Sequence, residues 1–252
     1  MKAKYCMVLL AVAAVLPAFN VPARASELDR RIESDARQLY VFKIYLAGDD
    51  IKIESRDGVV TLTGLIAEYF HRALAEVTIK DIPGVTGVDN RLEVKGSSPT
   101  ANSDAWLLNE VKATLVFHRS VSAAATEVSV KDGVVTLRGA AASPAQKDLT
   151  AEYSKDVEGV KDVINEMTVA AAPEKRALTT GEKIDDVSIS ALVRMALLLH
   201  HSTSGLYTSI GVRRGVVTVD GRAKNAAQKD QVTKVVKDIN GVKKVKNLMT
   251  LE

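Results

Sequence analysis

The apolar positions change period along the chain, and they do so three times in the same order. Counting back 26, 22 and 18 positions from Gly58, Gly133 and Gly215 gives Ile32/Ala36/Tyr40, Leu107/Val111/Leu115 and Ile189/Val193/Leu197. A spacing of four over three turns marks one face of an amphipathic helix. A short extended stretch follows, with Ile53, Val128 or Ile210 at matching places and Val130 or Val212 two residues on. Arg56-Asp57-Gly58-Val59 and Lys131-Asp132-Gly133-Val134 read as two-residue hairpins, because glycine tolerates the positive φ these turns need. In the next strand Val60 and Leu62 share a face, as do Val135 and Leu137, and Val217 and Val219. A second helix is announced by Ser143-Pro144-Ala145-Gln146 and Asn225-Ala226-Ala227-Gln228, each a capping residue with Gln three positions on. Gly84, Gly159 and Gly241 stand where that helix ends. A last strand alternates Val88, Asn90, Leu92 and Val94 on one face, matched by Val163, Asn165, Met167 and Val169.

These segments are copies of one unit. With Gly58, Gly133 and Gly215 in register, the next 32 positions align without a gap and eleven columns are identical. The identities include Gly64, Gly139 and Gly221, the Lys-Asp pairs 80–81, 155–156 and 237–238, and Asn90, Asn165 and Asn247. Chance similarity between apolar runs does not preserve glycine, asparagine and charge at fixed offsets. The expected fold class is α+β: three repeated small domains, each helix–strand–strand–helix–strand, with a three-stranded sheet and both helices on one face. The repeats are placed at 28–96, 103–171 and 186–252, with linkers at 97–102 and 172–185. A unit of this size buries only about 60% of its unfolded surface, so neighbouring repeats are expected to pack.

The GVVTLTG, GVVTLRG and GVVTVDG stretches at 58–64, 133–139 and 215–221, with the second helix, glycine-valine turn and valine-x-asparagine strand behind them, resemble the BON domain family. The resemblance implies a bacterial envelope protein with a part in stress or osmotic response and in interaction with phospholipid surfaces. By position, the family's characteristic glycines fall at Gly64, Gly139 and Gly221, as backbone positions rather than chemical ones. Two departures stand out: repeat 1 has Glu68 in place of the caps Ser143 and Asn225, and repeat 3 has Arg214 in place of Asp57 and Asp132.

Residues 1–25 have the form of a secretory signal: Lys2 and Lys4, an apolar run from Cys6 to Leu16, then Ala23-Arg24-Ala25. The run is too short to cross a bilayer as an independent helix, which takes about 20 residues. Export to the periplasm is expected, with no transmembrane segment in the mature chain. Cys6 is the sole cysteine and lacks the small and apolar residues that precede a lipidated one. Removing the leader takes away three basic groups and turns the overall balance of 34 basic and 31 acidic residues into equality. Net charge therefore gives no argument for nucleic acid. Residues 26–100 carry 10 basic and 13 acidic groups, residues 101–180 carry 9 and 11, and residues 181–252 carry 12 and 7. Only the last segment attracts a polyanionic surface through its charge.

Candidate chemistry is sparse, and the expectation is a protein that is not an enzyme and uses no cofactor or metal. There is no HExxH stretch, no Gly-x-Ser-x-Gly elbow and no phosphate-cradling GxxxxGK loop. His118 and His200 occupy equivalent places near the end of the first helix, where a role in the helix dipole or simple solvation is expected. Asn90, Asn165 and Asn247, on the inward face of a strand, are read as satisfying nearby backbone groups. The structural glycines are Gly58, Gly64, Gly84, Gly133, Gly139, Gly159, Gly215, Gly221 and Gly241. The remaining signal is basic: Lys234, Lys237, Lys243, Lys244 and Lys246 surround one helix-to-strand turn of repeat 3. They form the candidate contact for an anionic phospholipid membrane surface, weak and peripheral; the alternative is a protein-interaction or chaperone-like module that contacts envelope proteins. With aromatics at 4% and Trp106 the sole tryptophan, a stacking platform for nucleic acid is not supported.

Overall fold

The computed structural model describes residues 27–96, 99–170, 184–204 and 206–252. The leader with Cys6 and most of the second linker lie outside the described residues. Repeat 1 runs α1 (Glu27–Gln38), β1 (Asp50–Arg56), β2 (Val59–Ile66), α2 (Tyr69–Lys80) and β3 (Gly87–Val94). Repeat 2 runs α3 (Asp104–Phe117), β4 (Thr126–Lys131), β5 (Val134–Ala141) and α4 (Pro144–Lys155), then β6 (Asp162–Asn165) and β7 (Thr168–Val169). Repeat 3 runs α5 (Asp186–Leu199), β8 (Thr208–Arg213), β9 (Val216–Ala223) and α6 (Ala226–Lys237), then β10 (Lys244–Asn247) and β11 (Thr250–Leu251).

In each repeat the middle strand pairs antiparallel with the first and parallel with the third. The third strand is continuous in repeat 1 and interrupted after Asn165 and Asn247 in the other two, resuming as β7 and β11. Val60, Leu62 and Ile66 are fully buried under the helices, while Val59 and Leu65 on the opposite face are 44% exposed. Each sheet is thus covered by helices on one face and open on the other. The helix faces read from the sequence are the buried ones, apart from Tyr40, which is half-buried.

Three local devices hold each unit. The hairpin residues Asp57, Asp132 and Arg214 take φ of 53°, 54° and 52°, and the glycines after them are also positive. Asp29, Asp104 and Asp186, at the start of each first helix, accept hydrogen bonds from both of those backbone N–H groups. Arg214 holds the same turn as its aspartate counterparts because this clamp acts on the backbone. Second, Asn90, Asn165 and Asn247 donate Nδ2–H to the carbonyls of Arg72, Lys147 and Lys229, at 2.9, 2.8 and 2.9 Å. Their Oδ1 atoms accept from the N–H two residues on, so each asparagine ties the third strand to the second helix. Third, Gly64, Gly139 and Gly221 lie at φ +126°, +116° and +143°, and a Cβ there would stand 1.8, 2.1 and 2.4 Å from a carbonyl oxygen of the first strand or its approach.

Ser143 and Asn225 cap α4 and α6 through the N–H groups of Gln146 and Gln228. Glu68 makes no such bond. In repeat 1 Asp49 takes the part that the Gln146 and Gln228 side chains play for Ala142 and Lys224: it accepts from Ala67 N–H at 2.7 Å, and it meets His71 Nδ1 at 2.6 Å. Repeat 1 also differs after its first helix, where a turn of π-helix spans Val41–Tyr45.

The repeats pack on one another. Repeats 1 and 3 share one apolar cluster, into which Ala113 and Phe117 of α3 also insert, while the rest of repeat 2 has its own core around Val111, Leu115, Val135 and Leu137.

Candidate functional site

The open face of the repeat 3 sheet is set by register. Val217 and Val219 point into the core, so Val216, Thr218, Asp220 and Arg222 of β9 point outward. Directly opposite Val216 and Thr218 on β10 stand Lys244 and Lys246, both exposed, with Leu248, 58% exposed, next on that side. On the other side of β9 Arg213 of β8 pairs with Val216, while Arg222, farther along β9, stands opposite Thr250 of β11 on the β10 side. Within its strands this face therefore presents Lys244, Lys246, Arg213 and Arg222 against one carboxylate, Asp220, beside exposed Leu248, with Glu252 exposed just beyond β11. The same positions in repeat 1 give Lys52, Arg56 and Arg91 against Asp50, Glu54, Asp89 and Glu93. Only repeat 3 turns a net positive sheet face outward in that comparison.

The five lysines are divided by the fold. Lys244 and Lys246 lie on the open face, and Lys243, exposed at the turn, packs its aliphatic stem beside Gly215. Lys237 is exposed at the end of α6, where its carbonyl accepts from Arg119 Nη2. Lys234 faces away from the sheet surface and forms an ion pair with Glu152 of repeat 2. Arg213 and Arg222 were not singled out in the sequence. Their signal is strand alternation: Arg222 stands three residues beyond inward Val219 and Arg213 three beyond inward Ile210, and an odd offset along a strand places a side chain outside.

His118 and His200 depart from the sequence expectation: neither faces solvent. Both are buried, at 2% and 0% exposure, in the contact between repeats 2 and 3. Each leaves its helix as an extended C-cap and bridges to the chain after the second helix of the other repeat, His118 to Ile239 and His200 to Val157. Arg119 N–H donates to Asp238 O at 2.9 Å and His201 N–H to Asp156 O at 2.6 Å. His118 Nδ1 meets Asp238 Oδ2 at 3.2 Å, His200 Nδ1 meets Asp156 Oδ2 at 2.9 Å, and the two Nε2 atoms are 2.8 Å apart. Ser120 and Ser202 add hydroxyl donors to Asp238 and Asp156. The Tyr153 ring stacks on His118 at 4.0 Å and donates its hydroxyl to Asp238.

Burial works against ionisation of Asp156, but the bonds from His200 and Ser202 outweigh it and hold the carboxyl below its usual value. Asp238 is held low in the same way, burial being outweighed by His118, Ser120 and Tyr153. Burial also lowers the His118 pKa; the Asp238 bond opposes this and the His200 charge adds to it. Repeat 1 has Lys43 at the matching position, and its Asp81 instead accepts from Ser190 Oγ and Arg194 Nε of repeat 3.

Where the three repeats meet, a cavity of about 400 Å³ is lined by residues that include Phe70, Trp106, Glu110, Val157, Met195 and Leu199. Desolvation pushes Glu110 up to about 7. Among the described residues, no group of three or more His, Cys, Asp or Glu side chains is placed to hold a metal ion. Among the same residues, no helix is long and apolar enough to cross a membrane.

The BON domain model matches residues 29–96, 103–171 and 185–252. The chain is 31% identical over 143 residues to osmotically-inducible protein Y of Escherichia coli (strain K12), covering 55% of this chain and 71% of that protein. It is 28% identical over 149 residues to an uncharacterised protein in the gshII 5′ region of Anaplasma centrale, covering 59% and 95%. A solved structure of CdsD, a structural protein of the type III secretion system of Chlamydia trachomatis, aligns over 88% of this chain and 91% of its own at 16% identity. Its TM-score of 0.23 adds nothing to the argument.

Proposed function

Because the chain belongs to the BON domain family, with three copies of the domain, and is similar to an osmotically inducible protein, we propose that it is a non-enzymatic periplasmic stress-response protein that binds anionic phospholipid surfaces through its third repeat. The observation that carries this reading is the open face of the repeat 3 sheet, where Lys244 and Lys246 stand beside exposed Leu248 and share the surface with Arg213 and Arg222. Each basic group near an anionic leaflet contributes about 1 kcal/mol, falling away within a Debye length of about 8–10 Å. Such attraction alone gives reversible attachment; the leucine supplies a small apolar part, far short of a stable anchor. The contact is therefore weak and salt-sensitive.

Vesicle co-sedimentation tests it. The parent is expected to bind vesicles rich in phosphatidylglycerol at low salt and to ignore phosphatidylcholine. Lys243→Gln, Lys244→Gln and Lys246→Gln together are expected to remove most of that binding with an unchanged circular-dichroism spectrum. Equal binding by the folded triple variant discards this face as the contact. A parent that ignores anionic vesicles throughout a low-salt series discards the lipid reading.

A further inference from the structure

We propose that the contact between repeats 2 and 3 is a proton-binding site: one proton, held between the Nε2 atoms of His118 and His200, locks the two repeats together, and a second proton unlocks them. The inference is independent of the lipid reading.

The proton count follows from the geometry. Asp238 and Asp156 are held ionised, so each accepts, and the Nδ1 facing each of them must carry hydrogen. The two Nε2 atoms then face each other at 2.8 Å, a hydrogen-bond distance. With no proton between them, two lone pairs oppose one another. With two protons, two N–H bonds collide and two cations share a buried site. With one, an imidazolium donates to a neutral imidazole while each ring also donates to its own carboxylate. Only that state satisfies every ring nitrogen.

The surroundings offer no other way to absorb a second charge. Tyr153 covers one face of His118, and burial together with Asp238 pushes its hydroxyl far up, so it remains a donor. Arg119 lies 3.7 Å from Asp238 Oδ1 and already competes for that carboxylate. The Glu152–Lys234 pair is internally neutral, and His201 is exposed at the edge. Among the described residues, no carboxylate besides Asp156 and Asp238 is bonded to either ring.

The sign follows from His118. Its pKa is lowered in the folded chain from an ordinary value of 6.5, so the opened joint binds more protons than the closed one below that pH. The closed joint holds one proton, whereas the opened joint holds none well above 6.5 and two well below it. The closed joint is therefore favoured most near 6.5 and loses ground both as pH falls below that value and as it rises above it. Asp156 and Asp238 do not set this window, because both lie below 3.8 in the closed form.

Amide hydrogen exchange on the full mature chain reads the joint directly. Arg119 and His201 donate their N–H groups across it, while Leu137 in β5 and Val219 in β9 belong to single sheets. Protection factors at Arg119 and His201 are expected to fall about tenfold per pH unit below pH 6.5, the slope for uptake of one proton, with the sheet amides unchanged. Long-range nitrogen–proton spectra at pH 7 should show one Nε2-bound proton shared by the two buried histidines. His200→Gln should flatten the pH slope, since an amide can turn either a donor or an acceptor toward His118. Joint protection in the parent that is constant from pH 7.5 to 5, or that falls in step with the sheet amides, overturns the proposal, whether or not the variant folds. So does the absence of any Nε2 proton on the pair at pH 7.

Discussion

The close approach at Gly139 turns into a stability measurement. In Gly139→Ala the added Cβ would sit 2.1 Å from the carbonyl oxygen of Ala125 and 3.2 Å from its carbon, against an ordinary contact of 3.4 Å or more. Both atoms are backbone, so no side chain can swing aside. The φ of +116° also lies well beyond the small left-handed region open to alanine. Holding a non-glycine residue there costs of order 1–3 kcal/mol, and moving the chain by about 1 Å loosens the start of the Thr126–Gly139 pairing as well. A total of about 2–4 kcal/mol is expected. With a urea slope of about 1–3 kcal/mol per M, the midpoint should fall by roughly 1–2 M. Gly211→Ala is the control: nothing lies within 4 Å of its Cβ, so the change should stay within about 0.5 kcal/mol. Across the repeats the approach widens from 1.8 Å at Gly64 to 2.4 Å at Gly221, so alanine should cost most in repeat 1 and least in repeat 3. A Gly139→Ala midpoint equal to that of Gly211→Ala would refute the steric reasoning.

Asp104→Ala removes the acceptor for the N–H groups of Asp132 and Gly133, at 2.7 and 2.9 Å, and should lower stability by about 1.5–3 kcal/mol, with Asp104→Asn between it and the parent; an unchanged urea midpoint would show that the hairpin needs no clamp. Glu110 has its pKa raised from 4.5 to about 7 by desolvation, so the folded chain keeps a proton that the unfolded chain has released. Its contribution is therefore complete below about 4.5 and lost as pH rises through about 7. Glu110→Gln should gain on the parent steadily between pH 5 and pH 8 in paired denaturation curves, and a constant difference would exclude the effect.

The repeats, the hairpins and the role of the three asparagines were legible in the sequence because each is local: a period, a turn dipeptide, an offset within one unit. The lysine face was legible in part. Alternation placed Lys244 and Lys246 together, but Arg213 and Arg222 join them only through cross-strand register, and Lys234 leaves them for Glu152 of another repeat. The aspartate clamp was present as a column, 29 residues before each anchor glycine, and hidden by a simpler explanation, since an acid at a helix start already suits the dipole. The buried histidines could not be read at all. A histidine at a helix end looks solvated until a partner's position is known, and their partners lie 120 and 44 residues away in sequence.

The reciprocal histidine–aspartate contact limits how this chain could have grown. It is isologous in character: repeats 2 and 3 offer the same patch to each other, and each uses it up. Repeat 1 cannot enter on those terms, having Lys43 at the histidine position and Asp81 engaged by Ser190 and Arg194, and it attaches by a different surface. A head-to-tail array, in which every unit shows its successor the surface its predecessor showed it, lengthens with each duplication. A matched pair does not. A fourth tandem copy would find no vacant histidine–aspartate patch, so duplication here yields a bounded cluster and not a filament.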